Sequence, residues 1–206
     1  MKRTTRNTII FVVFVIVFMN CINLYMNYRT TKKINTRENT VGKFVSALSE
    51  EQTSALSRLD PVNALRDGLI LLNFDELNEK FPDIEIVAFG PGFEMNYYGG
   101  TGYCSFTSNS STSTNKMYYG AEITDDNIAA ISQLYSDIQT IWGAPTDSDV
   151  DLQQAETDFL AETDTEMHAS WKTDLFNLEF DISGNKLQPK SIVYPGQQVV
   201  LSIAVK

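Results

Sequence analysis

The sequence predicts an α+β protein: a single-pass N-terminal transmembrane helix, then an antiparallel-sheet domain assembled from helix-plus-strands cycles. Two observations carry this expectation. Residues 8–26 of the 206-residue chain form an uncharged, strongly apolar run. Beyond residue 40, a helical apolar pattern followed by about four β-branched or aromatic segments occurs twice over.

The apolar run comes first. IIFVVFVIVFM, residues 9–19, has no polar side chain. At about 1.5 Å per residue, residues 8–26 span about 28 Å, close to the hydrocarbon thickness of a bilayer. Tyr25 and Tyr28 fall where amphipathic rings favour the membrane–water interface, and Arg29, Lys32 and Lys33 stop the run. No small-residue cleavage pattern follows Met19. Phe18, Met19 and Asn20 are too large to precede a lipid-acceptor cysteine at Cys21. Residues 1–28 therefore read as an uncleaved anchor, 29–40 (RTTKKINTRENT) as a polar juxtamembrane linker, and 41–206 as an acidic domain with halves at 41–123 and 124–206. Lys2, Arg3 and Arg6 resist translocation of the short N-terminus, which puts the domain outside the cytoplasm.

Asn20, Asn23 and Asn27 are spaced by three and four, so a helix places them on one face. An amide buried in lipid gains from a hydrogen bond to another helix, and the stripe therefore suggests a homo-oligomer or a partner helix. The competing reading is that the stripe lies at headgroup depth and meets water.

In the domain, Val41, Phe44, Val45, Leu48, Ala55, Leu56 and Leu59 mark one amphipathic helix ending at Asp60-Pro61. GLILLNF reads equally as strand or buried helix, and FDELNEKFPD as a short helix broken by Pro82. IEIVAF, FEMNYY, YCSFTS and KMYYGAEI are four strands, with GPG and GGTG as turns. The second cycle opens with a helix capped by Thr124, its stripe being Ile128, Ile131, Tyr135, Ile138 and Trp142, stopped by Gly143 and Pro145. An acid-rich loop with a helical turn in its middle follows, then strands HASWKT, LFNLEFDI, LQPKSIVY and QVVLSIAVK.

Charge narrows the function. Residues 1–40 hold seven bases against Glu38 and the rest holds nine against 25 acids; this places +6 on the first part, −16 on the second and −10 on the whole. A domain at −16 repels nucleic acid and anionic lipid, and its electrostatic partners are basic proteins and cations. The two cysteines, Cys21 and Cys104, lie on either side of the membrane boundary and give no disulfide framework.

Ile141-Trp142-Gly143-Ala144-Pro145-Thr146, then Ala169-Ser170-Trp171, then Leu178-Glu179-Phe180-Asp181 with Gly184, form a spaced set. Over about 60 residues this set resembles small envelope modules of the β-lactamase-inhibitor-protein type, a kind also found in a small lipoprotein of outer-membrane assembly. The resemblance implies binding rather than catalysis and transfers no functional residue. The four-strand second cycle and the long acidic loop depart from it.

Individual residues offer little chemistry. His168, the only histidine, and Cys104 would need a third orienting group to act as a nucleophilic pair, and none can be named. GGTG has no following lysine and opens no helix, so it is a hairpin turn and not a phosphate loop. Asp147, Asp149, Asp151 and Asp158 have the spacing of a calcium loop, but Leu152 stands where that loop needs glycine. Among the crowded aromatics, alternation turns half to the core and leaves tyrosines such as Tyr98 and Tyr118 as interface anchors. The sequence thus reads as a membrane-anchored, non-enzymatic protein-binding domain without cofactor or metal. It would be an inhibitor or immunity-type protein that meets a basic effector through Asp147, Asp149, Asp151, Tyr98 and Tyr118. The alternative is a structural subunit of an envelope or secretion assembly.

Overall fold

The computed structural model describes residues 3–83, 85–87, 90–107, 114–184 and 198–206. The chain divides into two compact units, residues 1–39 and 40–206. The described residues of the first, 3–39, are helical, part of α1 (Arg3–Ser46), and Phe11–Arg29 within it is long and apolar enough to cross a membrane. Residues 29–40, read from the sequence as a linker, are helix as well, because no proline or glycine interrupts them.

The second unit begins with the last turns of α1, where Val41 is fully buried and the Phe44 ring packs on Phe176 and Trp142 at 4.9 and 6.1 Å. The helix expected to run from Val41 to Leu59 is broken at residues 47–49. There Ser49 starts α2 (Glu50–Leu59) with a reciprocal cap: its hydroxyl takes the Gln52 N–H, and the Gln52 amide oxygen takes the Ser49 N–H. GLILLNF resolves as a buried 3-10 turn, Leu69–Leu71, entered through left-handed Gly68. The short helix before Pro82 is α3 (Phe74–Lys80), capped by Asn73 and Glu76.

Among the described residues eight strands form one sheet. They are β1 (Glu85–Val87), β2 (Gly90–Tyr97), β3 (Gly100–Thr107), β4 (Lys116–Glu122), β5 (Asp147–Ser148), β6 (Thr165–Lys172), β7 (Phe176–Gly184) and β8 (Gln198–Val205). Their order is β1-β2-β3-β4-β8-β7-β6-β5 with every neighbouring pair antiparallel. Each cycle is thus an up-and-down meander, and the last strands of the two cycles meet at the centre. Helices α4 (Ile128–Trp142) and α5 (Leu152–Leu160) belong to the second cycle, and α4 packs on α2 of the first.

Register assigns the faces. Phe93, Cys104, Tyr119, Leu201, Phe180 and Ala169 stand opposite one another across six strands, and Phe106, Met117, Ile203, Leu178 and Trp171 form the next row. From Cys104 onwards these side chains are essentially buried. The helices lie on this face: Tyr135 of α4 meets Trp171 and Phe180, and Phe81 after α3 stacks on Phe93. Burial of this apolar surface is the main stabilising term, at about 25 cal/mol per Å².

Some sequence expectations move. GPG lies inside β2 rather than in a turn; Pro91 sits outside the β2–β3 ladder, which starts at Gly92, so that ladder loses no N–H. Thr124 does not cap α4. Asn127 closes the turn before it, accepting the Thr124 N–H and donating to Glu122 O, and the helix starts at Ile128. The buried stripe of α4 is Ile131, Leu134, Asp137, Ile138 and Ile141. The strand expected at LQPKSIVY falls outside the described residues. Of GGTG, expected as the hairpin turn, only Gly99 lies in it: the turn is the two-residue Tyr98-Gly99, with φ of 49° and 78°, and Gly100 to Gly102 already pair in β3. Gly102 is needed for contact rather than for turning, since a Cβ there would stand 2.4 Å from Tyr97 Cβ.

A buried carboxylate joins the two cycles. Asp137 on α4, its side chain 2% exposed, accepts Arg58 Nη2 (2.7 Å) and Gln133 Nε2 (2.8 Å) on Oδ1. On Oδ2 it accepts Arg58 Nε (2.9 Å) and the Tyr98 hydroxyl (2.8 Å). Burial pushes its pKa up, but the donors from Arg58, Tyr98 and Gln133 outweigh that and hold the carboxyl below the usual range. A second buried carboxylate, Asp60, accepts the Ala64 and Leu65 N–H groups and the Tyr119 hydroxyl, and burial keeps its pKa raised.

Replacing Arg58 with Met leaves the Asp137 charge with neutral donors only and should cost about 2–3 kcal/mol in urea unfolding, against about 1 kcal/mol for Tyr98→Phe. Equal costs would remove the ion pair from the account. Because the folded-state pKa of Asp137 is lowered, its contribution is present above the ordinary aspartate range and lost as pH falls through the folded value. Asp137→Asn should therefore flatten the acid side of the stability profile. Gly102→Ala should destabilise by about 2 kcal/mol, through the forced displacement of Tyr97.

Candidate functional site

The other face of the sheet carries no helix among the described residues. It holds Glu94 and Tyr103 on β2 and β3, Lys116 and Tyr118 on β4, Val200 and Ser202 on β8, Glu179 and Asp181 on β7, and Glu166 and His168 on β6. This follows from the alternation of β-strands, because each of these residues neighbours a core residue in sequence.

The polar groups on this face are linked across strands. Glu179 accepts the Ser202 hydroxyl at 3.1 Å and pairs with Lys116 at 3.4 Å; the ammonium of Lys116 lies 4.5 Å over the Tyr118 ring. His168 Nδ1 lies 2.7 Å from Asp181 Oδ1, both side chains being nearly half exposed. The hydrogen bond to Asp181 raises the His168 pKa against a smaller lowering by burial, and the charges of Asp181, Glu179 and Asp149 add to the rise. A shallow depression of about 500 Å³ opens here, its lining including Glu166, His168, Asp181 and Val200. The chemistry on offer is recognition of cations and hydrogen-bond donors, with one imidazole whose charged form Asp181 favours.

Of the residues singled out from the sequence, Asp147 and Tyr118 share this face, in the row Tyr118–Ser202–Glu179–Ser170–Asp147. Four strand spacings separate them, about 19 Å. Asp149 sits at the rim and uses a carboxylate oxygen to accept the His168 N–H at 2.5 Å. Asp151 is the N-cap of α5, accepting the Gln153 and Gln154 N–H groups at 3.0 Å. Tyr98 is placed elsewhere: it lies in the hairpin turn, half-buried, with its hydroxyl on Asp137, so it works inside the domain and not as an exposed anchor. Asp158, the last member of the calcium-like spacing, accepts from Gln154, Thr163 and Thr165. No group of three His, Cys, Asp or Glu residues among those described is arranged to hold a metal ion.

Cys104 is fully buried on the helix side whereas His168 is exposed on the opposite face, so the two cannot act as a nucleophile–base pair. In α1 the Asn20 amide donates to its own helix at Ile16 O (3.0 Å), which satisfies one donor without a partner helix. Asn23 and Asn27 are exposed. The acids of β7 were missed as site residues, although the alternation in LEFDI already turned Glu179 and Asp181 away from the core.

Since His168 is the only histidine, its titration can be read without assignment ambiguity. Its NMR midpoint should lie above the ordinary value of about 6.5 and fall in Asp181→Asn. The stability it contributes is full below the unfolded pKa and lost as pH rises through the folded one. A midpoint at or below the ordinary value would contradict the pair.

No protein-family model matches the chain, and no significant likeness to a curated protein or to a solved structure was found.

Proposed function

We propose that the chain is a membrane-anchored, non-enzymatic binding protein whose acidic domain lies outside the cytoplasm and holds a basic protein on the open face of its sheet. The observation that carries the reading is that face: Glu166, Glu179 and His168 stand exposed, with Asp181, on strands whose opposite side chains form the core. A sheet packed by helices on one side and polar on the other is stable without a cover. Tyr103, Ser105 and Ser202 are buried on the outer face, and its part at Glu166, His168 and Glu179 is the one available to a partner. The domain charge of −16 draws basic proteins towards it and makes association sensitive to salt. An inhibitor or immunity-type role against a basic effector fits both features, and the resemblance of residues 141–184 to inhibitor-protein modules agrees with it.

Phe11–Arg29 serves as the anchor, its apolar side chains exposed on the helix. The bases at the N-terminus favour the orientation with that end inside. The reading as an envelope-assembly subunit relies on the asparagine stripe finding a partner, and the internal bond of Asn20 weakens that need.

Two measurements test the proposal. The chain should stay in the membrane after alkaline carbonate extraction, and protease added from outside the cytoplasm should digest its domain; release by carbonate would remove the anchor. Decalysine should bind the full chain in detergent with an affinity that falls steeply with salt, and Glu179→Lys with Asp181→Lys should weaken it about tenfold or more. Unchanged binding in that double variant would move the site off this face.

A further inference from the structure

The strand β2 is eight residues long, but β1 covers only Gly90, Pro91 and Gly92. In a two-residue hairpin the residues flanking the turn exchange hydrogen bonds, which here is Tyr97 with Gly100. Alternation then turns the N–H and C=O groups of Met95 and Phe93 towards β3, and those of Glu94 and Asn96 to the far side. The same alternation turns Gly90 and Gly92 towards β1, as their pairing requires. Among the described residues nothing pairs with β2 beyond Gly92 on that side. A depression of about 410 Å³ lies along this stretch, lined by Glu94, Met95, Asn96, Gly99 and Gly100.

We propose that the edge of β2 at Glu94–Asn96 takes up an extended segment of a basic protein, which adds to the sheet as a strand in line with β1. Two outward N–H groups and two outward C=O groups give such a segment a ladder, and the depression gives its side chains room. Charge selects the occupant. Glu94 is exposed on the open face, and Glu122, Asp125 and Asp126 surround the end of the sheet where Gly100 approaches Asn127. A lysine or arginine on the added strand faces Glu94 across the ladder, which is a favourable cross-strand pair. A second copy of this chain would instead bring Glu94 towards its own equivalent and one −16 domain against another. This deepens the proposed function and rests on it for the basic character of the partner; it adds where and in what conformation part of that partner is held.

The test uses the full chain in detergent and a synthetic decapeptide of alternating lysine and valine. Binding should slow exchange of the Glu94 and Asn96 amides. Asn96→Pro removes an outward N–H at an edge position that tolerates proline, and should weaken the peptide about fivefold or more. A peptide N-methylated on the amides facing β2 should weaken likewise, and this arm holds even where the proline variant fails to fold. Equal affinity of the methylated peptide, or no protection at residues 94 and 96, overturns the proposal. If decalysine binding still depends on Glu179 and Asp181 in that case, the open-face reading survives without the added strand.

Discussion

The ion pair of Asp137 with Arg58 holds the two halves of the domain in one arrangement. Each half is a helical segment with a meander of strands, and β4–β8 pairing alone would leave the helices free to settle separately. The carboxylate on α4 takes the guanidinium of α2 bidentately and the hydroxyl of Tyr98 from the β2–β3 turn. Its charge, 2% exposed, can persist only with those donors in place. Geometry at this point therefore fixes helix against helix and both against the sheet. Asp60 repeats the device on a smaller scale, tying the loop after α2 to Tyr119 in the central strand.

With the helices on one face, the composition of the other follows. Strand alternation puts Leu178, Phe180 and Ile182 under the helices and Glu179 and Asp181 outside. The charged residues there are linked weakly and stay hydrated. Lys116 with Glu179 is a partly exposed pair at 3.4 Å, worth less than about 1 kcal/mol. Such a face adds little to stability, and a partner can rearrange it at small cost. The depressions at His168 and along Glu94–Asn96 lie on this face and at the β2 edge, where close packing is not required.

Much of the architecture was legible in the sequence because it depends on local pattern. The two helix-plus-strands cycles, the breaks at Pro82 and Gly143, and the presence of a hairpin between β2 and β3 each have their cause within a few residues. The split between α1 and α2 was hidden because apolar spacing continues across Ser49, whose cap acts against that periodicity. Leu134 and Ile141 were missed on α4 for a related reason: the helix is apolar on several faces, and only the position of its neighbours chooses among them. Arg58, Asp137 and Tyr98 are far apart in sequence, so a charge on an apolar stripe was the sole sign of their meeting. Tyr98 looked like a surface anchor for want of that long-range information; alternation alone turned Tyr118 outward, whereas Asp147, read as part of an acidic loop, joins that face only through the short strand β5.

Carbodiimide labelling of carboxylates, read by mass spectrometry with and without decalysine, tests the account most directly. Glu179 and Asp181 should react in the free full-length protein and be protected by the peptide, while Asp60 and Asp137 stay unreactive in both states. Reaction at Asp137 would contradict the buried ion pair that joins the halves, and unreactive or unprotected Glu179 and Asp181 would contradict an open face that binds cationic partners.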